Sequence, residues 1–130
     1  MIARRYQMVD WSKVKYFKQS EFVCSCGCGR ADVTPGLVMA LDALREAYGK
    51  PMTITSGFRC ENHPEERDKP TPGAHGQGRA ADISTPDASS KYELKRHVYA
   101  LGFLGVGHGK TFTHLDVGHD AATRPADWTY

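Results

Sequence analysis

Two short apolar segments of this chain each contain an aspartate, and no other feature constrains the fold as strongly. Asp82 follows two alanines and precedes an isoleucine, while Asp116 stands between a leucine and a valine. Burying an unpaired carboxylate is costly, so an acid in an apolar strand needs a partner. A zinc ion is one such partner. The alternative is that both acids end strands or turns at the surface.

The pattern of apolar residues predicts two helices. The clearer one covers residues 34–48, where Thr34 is a suitable N-cap and Pro35 a suitable first helical residue. Gly49 provides the left-handed residue that ends many helices. A second helix is predicted over residues 89–101, followed by a glycine.

The remaining segments predict a small sheet. Alternating and β-branched residues indicate strands, and a long polar loop rich in proline and glycine separates the first two. The predicted elements are a strand at 52–55, the loop at 61–78, a strand at 80–84, a hairpin formed by 103–106 and 111–117, and an irregular tail at 118–130. This order predicts an α+β fold, with a small antiparallel sheet packed against two or three helices and the zinc site on the sheet.

Length and charge restrict the classes of function. The chain has 130 residues, which fits a single domain over 1–130, with residues 1–16 as a loosely attached leader segment. The formal net charge is +2 and the basic residues are scattered, so we expect no nucleic-acid partner. No apolar stretch reaches the ~18 residues of a membrane span, so we expect no membrane insertion. We expect a monomer.

Three residues form a candidate zinc site. His75 lies on the predicted loop, Asp82 on the strand after it, and His114 on a strand of the hairpin. Two imidazoles and one carboxylate, with a place left for water, are typical of a catalytic zinc site. Since alternate side chains of a strand share a face, Asp116 points to the same side as His114 and is a candidate proton acceptor.

Three motifs in order resemble the M15 family of zinc peptidases, over roughly residues 17–118. They are Ser-Gly-Phe-Arg at 56–59, His-Gly-Gln-Gly-Arg-Ala-Ala-Asp-Ile at 75–83, and Phe-Thr-His-Leu-Asp-Val at 112–117. The nearest likeness is to the branch of phage endolysins and murein endopeptidases, related to D-alanyl-D-alanine carboxypeptidases. This resemblance implies the hedgehog/D-Ala-D-Ala peptidase-like fold.

The resemblance also implies roles for individual residues. His75, Asp82 and His114 correspond to the zinc ligands, and Arg59 to an arginine that binds substrate and stabilises charge on the attacked carbonyl. The alternative for Arg59 is a surface ion pair with Glu61 or Glu65.

The proton acceptor is the least settled of these roles. The carboxypeptidase branch has an acid three residues before the last zinc histidine, where this chain has Thr111. Asp116 is therefore the candidate base, with a structural role as the alternative and His108 as a weaker candidate. Trp128 and Tyr130 either wall the cleft or belong to a packed tail.

The function implied is a zinc metallopeptidase that hydrolyses amide bonds of peptidoglycan peptides, as an endopeptidase or a carboxypeptidase. The first residues lack the apolar core of a signal peptide, so we expect synthesis in the cytoplasm. A phage lysin that reaches the wall through a holin pore or in the virion fits this. The alternative is a non-catalytic, zinc-containing cell-wall-binding module.

Four cysteines leave a further possibility open. Three of them lie in Cys-Ser-Cys-Gly-Cys-Gly at 24–29, and the fourth is Cys60. Without a secretion signal, reduced thiols are expected. The thiols are either inert residues of a tight turn, ligands of a second, structural zinc, or the centre of a cysteine-based metal or redox protein. In the last case, activity or stability would follow the cysteines and not His75.

Overall fold

Two α-helices and a five-stranded sheet form the fold. The computed structural model describes residues 8–120 and 122–130. The elements are α1 (Pro35–Tyr48), α2 (Ala88–Val98), β1 (Ile54–Ser56), β2 (Ala80–Ser84), β3 (Gly105–His108), β4 (Phe112–Asp116) and β5 (Ala126–Thr129), with 3-10 turns at Trp11–Lys13 and Gln19–Phe22. The α+β class predicted from sequence is confirmed. None of the helices in these residues has the length and apolarity needed to cross a bilayer.

The strand order is β1-β2-β4-β3-β5, and every neighbouring pair is antiparallel except β3 and β5. The sheet is therefore mixed, not antiparallel throughout as predicted. The difference comes from the tail, which was expected to be irregular but forms β5. A four-residue edge strand has almost no local signal, because its pairing depends on the exposed backbone of β3.

The first helix forms where the sequence predicts it. The Thr34 side chain accepts a hydrogen bond from the Leu37 amide (3.3 Å), and Gly49 ends the helix at φ 76°. The second helix begins one residue earlier than predicted, after its cap Asp87, but it ends three residues earlier, at Val98, and is therefore shorter. The helices contact each other, and the buried leucines of α1 face the common core.

The two faces of the sheet carry different kinds of side chain. One face carries apolar side chains that join the leucines of α1 in the core: Ala81, Ile83, Val106 and Leu115. The alternate residues lie on the other face, where Asp82 pairs in register with His114, and Asp116 with Gly105. Strand alternation therefore separates the core from the polar residues that the sequence singles out.

Part of the expected leader segment is attached to the core. Residues 1–7 lie outside the described residues. The backbone amides of Lys15 and Tyr16 donate hydrogen bonds to the carboxylate of Asp42 on α1 (2.9 and 2.8 Å). The ring of Trp11 lies 5.8 Å from that of Phe22. Four side chains of residues 9–16 also pack against the core, so this part of the segment is not loosely attached.

We expect Gly105→Ala to destabilise the protein by about 1–3 kcal/mol, the usual cost of overpacking. A Cβ at this position would lie 2.2 Å from Oδ2 of Asp116 and would have to displace a buried carboxylate. Urea unfolding measures the effect. Gly36→Ala is the matched control, since its Cβ meets nothing within 4 Å in α1. Equal unfolding midpoints for the two variants would contradict the prediction.

Candidate metal centre

Three side chains from separate segments converge on one point. Nε2 of His75 and Nδ1 of His114 each lie 3.3 Å from Oδ1 of Asp82. All three side chains are buried, and their potential ligand atoms lie within 4.8 Å of one another. The residues proposed as zinc ligands from sequence are thus brought together.

The sheet positions two of these residues and the long loop positions the third. Asp82 and His114 are direct partners in the pairing of β2 with β4. His75 precedes a turn in which Gly78 has φ 71°, and a Cβ there would lie 2.1 Å from the carbonyl oxygen of Asp32. Only glycine fits such a conformation and so close an approach. The turn brings the chain from His75 back into β2.

A buried acid stabilises the loop before His75. Glu66 accepts hydrogen bonds from the Gly73 amide (2.8 Å) and from the Lys69 ammonium (2.6 Å). The side chain of Glu66 is only 3% exposed, so these contacts provide its charge with partners. A loop with few apolar residues is thereby given a defined path to the site.

Each histidine is oriented by a hydrogen bond on its outer nitrogen. Nδ1–H of His75 donates to the Gly57 carbonyl (2.9 Å), and Nε2–H of His114 donates to Oδ2 of Asp116 (2.7 Å). Because both acceptors lack protons, each ring has its proton on the outer nitrogen. The inner nitrogens carry lone pairs directed towards Asp82, which is how metal-binding histidines are commonly held.

The residues fit a zinc ion. Oδ1 of Asp82 is buried and has no hydrogen-bond partner in the part of the chain that the structure describes. An unpartnered buried carboxylate oxygen is costly, and here it faces two lone pairs that repel it unless a cation or proton lies between them. Two imidazoles and a carboxylate are a normal zinc donor set.

The electrostatics of the site favour a charged Asp82. Burial alone would raise the pKa of this carboxyl, but a proton on the inner nitrogen of His114 or His75, in place of a metal ion, holds that pKa well below its usual range. For His114, burial opposes the charged form, yet Asp116 and Asp82 raise the pKa of the ring above its ordinary value. The pocket thus stabilises negative charge and attracts positive charge, as a cation site requires.

Asp116 lies behind His114, and this position does not suit the proton acceptor expected from sequence. Its carboxylate is fully buried and accepts hydrogen bonds from His114, from Nε and Nη2 of Arg124 (3.0 and 2.8 Å) and from the Gly118 amide (3.1 Å). Burial would raise the pKa of Asp116, but His114 and Arg124 lower it to about 2. Both oxygens are occupied, and the imidazole ring separates them from Asp82. The geometry favours the alternative, positioning role.

Arg59 lies at the edge of the site. Its Nη2 is 3.4 Å from Oδ2 of Asp82, and its Nε donates to the Ser56 hydroxyl (3.1 Å). The expected competitor Glu61 instead accepts hydrogen bonds from Arg30. Arg59 thus contacts the candidate metal ligand, and its guanidinium side chain is 19% exposed.

Two residues of the tail complete the site, and one of them was missed by the sequence analysis. The ring of Trp128 lies 5.1 Å from that of His114, so this residue walls the site. Arg124, which sequence reasoning did not identify, pairs with Asp116 and lies 5.0 Å from the Trp128 ring. The need of a buried acid for a cation predicts a basic partner for Asp116, but it does not identify which arginine or lysine that partner is. The weaker candidate base, His108, lies on the opposite face of the sheet.

A comparison with protein families supports this site. Residues 15–116 match the family model described as Peptidase M15, and this span includes all three candidate ligands. Arg124 and Trp128 lie beyond its end. A comparison with curated proteins gives no significant match. M15 peptidases are zinc-dependent, which agrees with the donor set.

We expect Asp116→Asn to weaken zinc binding at this centre about 10–100-fold, because residues that orient a metal ligand commonly have effects of this size. Peptidase activity should recover at saturating zinc. Competition with a zinc chelator measures the affinity. Asp127→Asn is the control, since Asp127 is an acid of β5 on the opposite face. Unchanged zinc affinity with activity lost at every zinc concentration would instead identify Asp116 as the proton acceptor.

Proposed function

The chain belongs to the M15 family of peptidases, and on this basis we propose that it hydrolyses amide bonds in the peptide part of peptidoglycan. The observation that carries the proposal is the convergence of three ligand atoms on the unpartnered Oδ1 of Asp82. We assign His75, Asp82 and His114 as the ligands of the zinc on which the peptidase depends.

Each residue around this centre has a separate contribution. A zinc ion supplies a Lewis acid that polarises a carbonyl group and activates water. Asp116 keeps the proton of His114 on Nε2, so that Nδ1 stays available as a ligand. Arg124 keeps Asp116 ionised, and Trp128 covers the imidazole and excludes water from one side. These contacts hold the ligands before substrate arrives, which lowers the reorganisation needed during reaction.

Arg59 is the candidate for stabilising charge on the substrate. Its guanidinium side chain lies next to Asp82 and is partly exposed, so a carbonyl oxygen at the site comes within its reach. Negative charge develops on that oxygen when water attacks the amide carbon. A fixed cation directed at this oxygen in a partly dehydrated site makes one of the larger contributions to catalysis.

A groove beside Arg59 provides a place for a charged peptide. It has a volume of about 540 Å³, and its walls include acids and bases: Arg30, Arg67, Lys69, Asp32 and Glu61. Peptidoglycan peptides carry free carboxylates and amino groups along a short chain. Charge of both signs in the groove supports such a substrate better than an apolar one.

The likeness of His114-Leu115-Asp116 to the murein endopeptidase branch supports a phage-type lysin that reaches the wall after cell lysis begins or from the virion.

The lack of an available acid at the centre favours a second function, a zinc-containing module that binds the wall without cutting it. Thr111 is not an acid, and Asp116 is already occupied by Arg124 and His114.

Digestion of purified peptidoglycan separates these functions. We expect the zinc-loaded protein to release peptides with new amino and carboxyl ends, which mass spectrometry locates at one bond type. His75→Ala should release none, and His97→Ala on α2 is the matched control. Sedimentation with the wall but no product would support the binding module. If the protein cleaves other peptides but neither binds the wall nor releases a product from it, the peptidoglycan assignment is wrong.

Arg59→Ala should lower kcat by about 10²–10³-fold, the size typical of losing one preorganised donor to the developing oxyanion. Zinc at the centre should be retained, because all three ligands remain. Steady-state kinetics with metal analysis on the same sample tests both points. Arg67→Ala, in the groove but outside the centre, should affect KM more than kcat. Full kcat in Arg59→Ala would contradict the role.

A further inference from the structure

The four cysteines, which the peptidase function does not use, lie together at one place. Their sulfur atoms are all within 4.8 Å of one another, and Sγ of Cys26 is 3.2 Å from Sγ of Cys60. None of the four forms a disulfide. Cys24 and Cys60 are buried, while Cys26 and Cys28 are exposed at the surface.

The turn at residues 24–29 places three of the sulfurs on one side. Gly27 and Gly29 have φ of 92° and 77°, which only glycine adopts readily. The Cys24 amide donates to the Arg30 carbonyl (2.8 Å), which closes the turn. The one-residue spacing, unlike the two-residue spacing of common zinc motifs, therefore still lets Cys24, Cys26 and Cys28 converge.

The backbone brings the fourth sulfur to the same point. Phe58 donates its amide to the Phe22 carbonyl (3.0 Å), and a Cβ on Gly57 would lie 2.6 Å from the Phe22 backbone. These contacts fix the segment after β1 against the segment before the turn. Cys60, two residues after Phe58, thereby lies next to Cys26.

Backbone amides point at two of the sulfurs. The amide of Cys60 donates to Sγ of Cys24, and the amide of Arg30 donates to Sγ of Cys28, each at 3.4 Å. Hydrogen bonds of this kind stabilise negative charge on sulfur and surround metal-bound thiolates. Thiols themselves are weak donors and acceptors, so four of them gain little from one another alone.

We propose that Cys24, Cys26, Cys28 and Cys60 bind a second zinc ion in a structural site. Zinc–sulfur bonds of about 2.3 Å in a tetrahedron place the sulfurs about 3.8 Å apart, within the range found here. As each bond forms, its thiol releases a proton to solvent. Four protein ligands leave no open position, so this site holds the fold and does not act on substrate.

The second zinc stabilises a residue of the peptidase centre. Cys60 directly follows Arg59, whose amide donates to the carbonyl of His75 (3.3 Å). A zinc ion that ties Cys60 to the turn also fixes the backbone of Arg59. The proposal rests on the cysteine geometry alone and is independent of the substrate assigned above.

Zinc content of the full chain, purified under reducing conditions, tests the proposal. We expect two zinc ions per chain in the wild type, one in His75→Ala, one in Cys28→Ser and none in the double variant. Ser25→Ala, in the same turn but without a ligand atom, should keep both. One zinc in the wild type and none in His75→Ala would overturn the proposal.

Cobalt substitution decides the question even if Cys28→Ser fails to fold. His75→Ala produced with cobalt should show the near-ultraviolet charge-transfer absorption of cobalt thiolates, which histidine and carboxylate ligands do not give. Its thiols should react with a thiol reagent only after chelation. A folded protein without this absorption, or with a disulfide between Cys26 and Cys60 under reducing conditions, would overturn the second site.

Discussion

The carboxylate of Asp82 and the two imidazoles that face it determine how the rest of the site is built. A buried oxygen with two ring nitrogens at 3.3 Å is stable only with positive charge between them. The sheet meets this requirement by placing Asp82 and His114 opposite each other, and the glycine-rich loop meets it by returning His75 to the same point. The apolar face of the same strands supplies the core that keeps this arrangement rigid.

The support of His114 runs through a closed ring of contacts. His114 donates to Asp116, Asp116 accepts from Arg124, and Arg124 lies over Trp128, which in turn packs on His114. The pairing of β5 with β3 places Trp128 in this ring, and two glycines of β3, Gly105 and Gly107, leave space for it. A side chain at Gly105 would take the space of the Asp116 carboxylate, and one at Gly107 would take the space of the Trp128 indole.

The sequence predicts those parts of the molecule that depend on local pattern. The cap at Thr34, the apolar pattern of α1 and the bounds of β2 are local, and the structure agrees with them. The three candidate ligands could also be found, since an acid in an apolar strand signals a partner. β5 and the contact of Arg124 with Asp116 could not, because both depend on where the tail crosses the sheet. The spacing of the cysteines was only a weak signal for a metal site, because the sulfurs come together through the backbone angles of two glycines, which the spacing does not show.

The ion pair between Asp116 and Arg124 has a consequence for where this unit ends. The region matched by the family model stops at residue 116, at the acid itself. A fragment trimmed to that boundary would keep every candidate zinc ligand yet leave a fully buried carboxylate without its guanidinium. Asp116 keeps its guanidinium partner only in a chain that continues through Arg124, and His114 keeps the Trp128 ring only in one that includes β5.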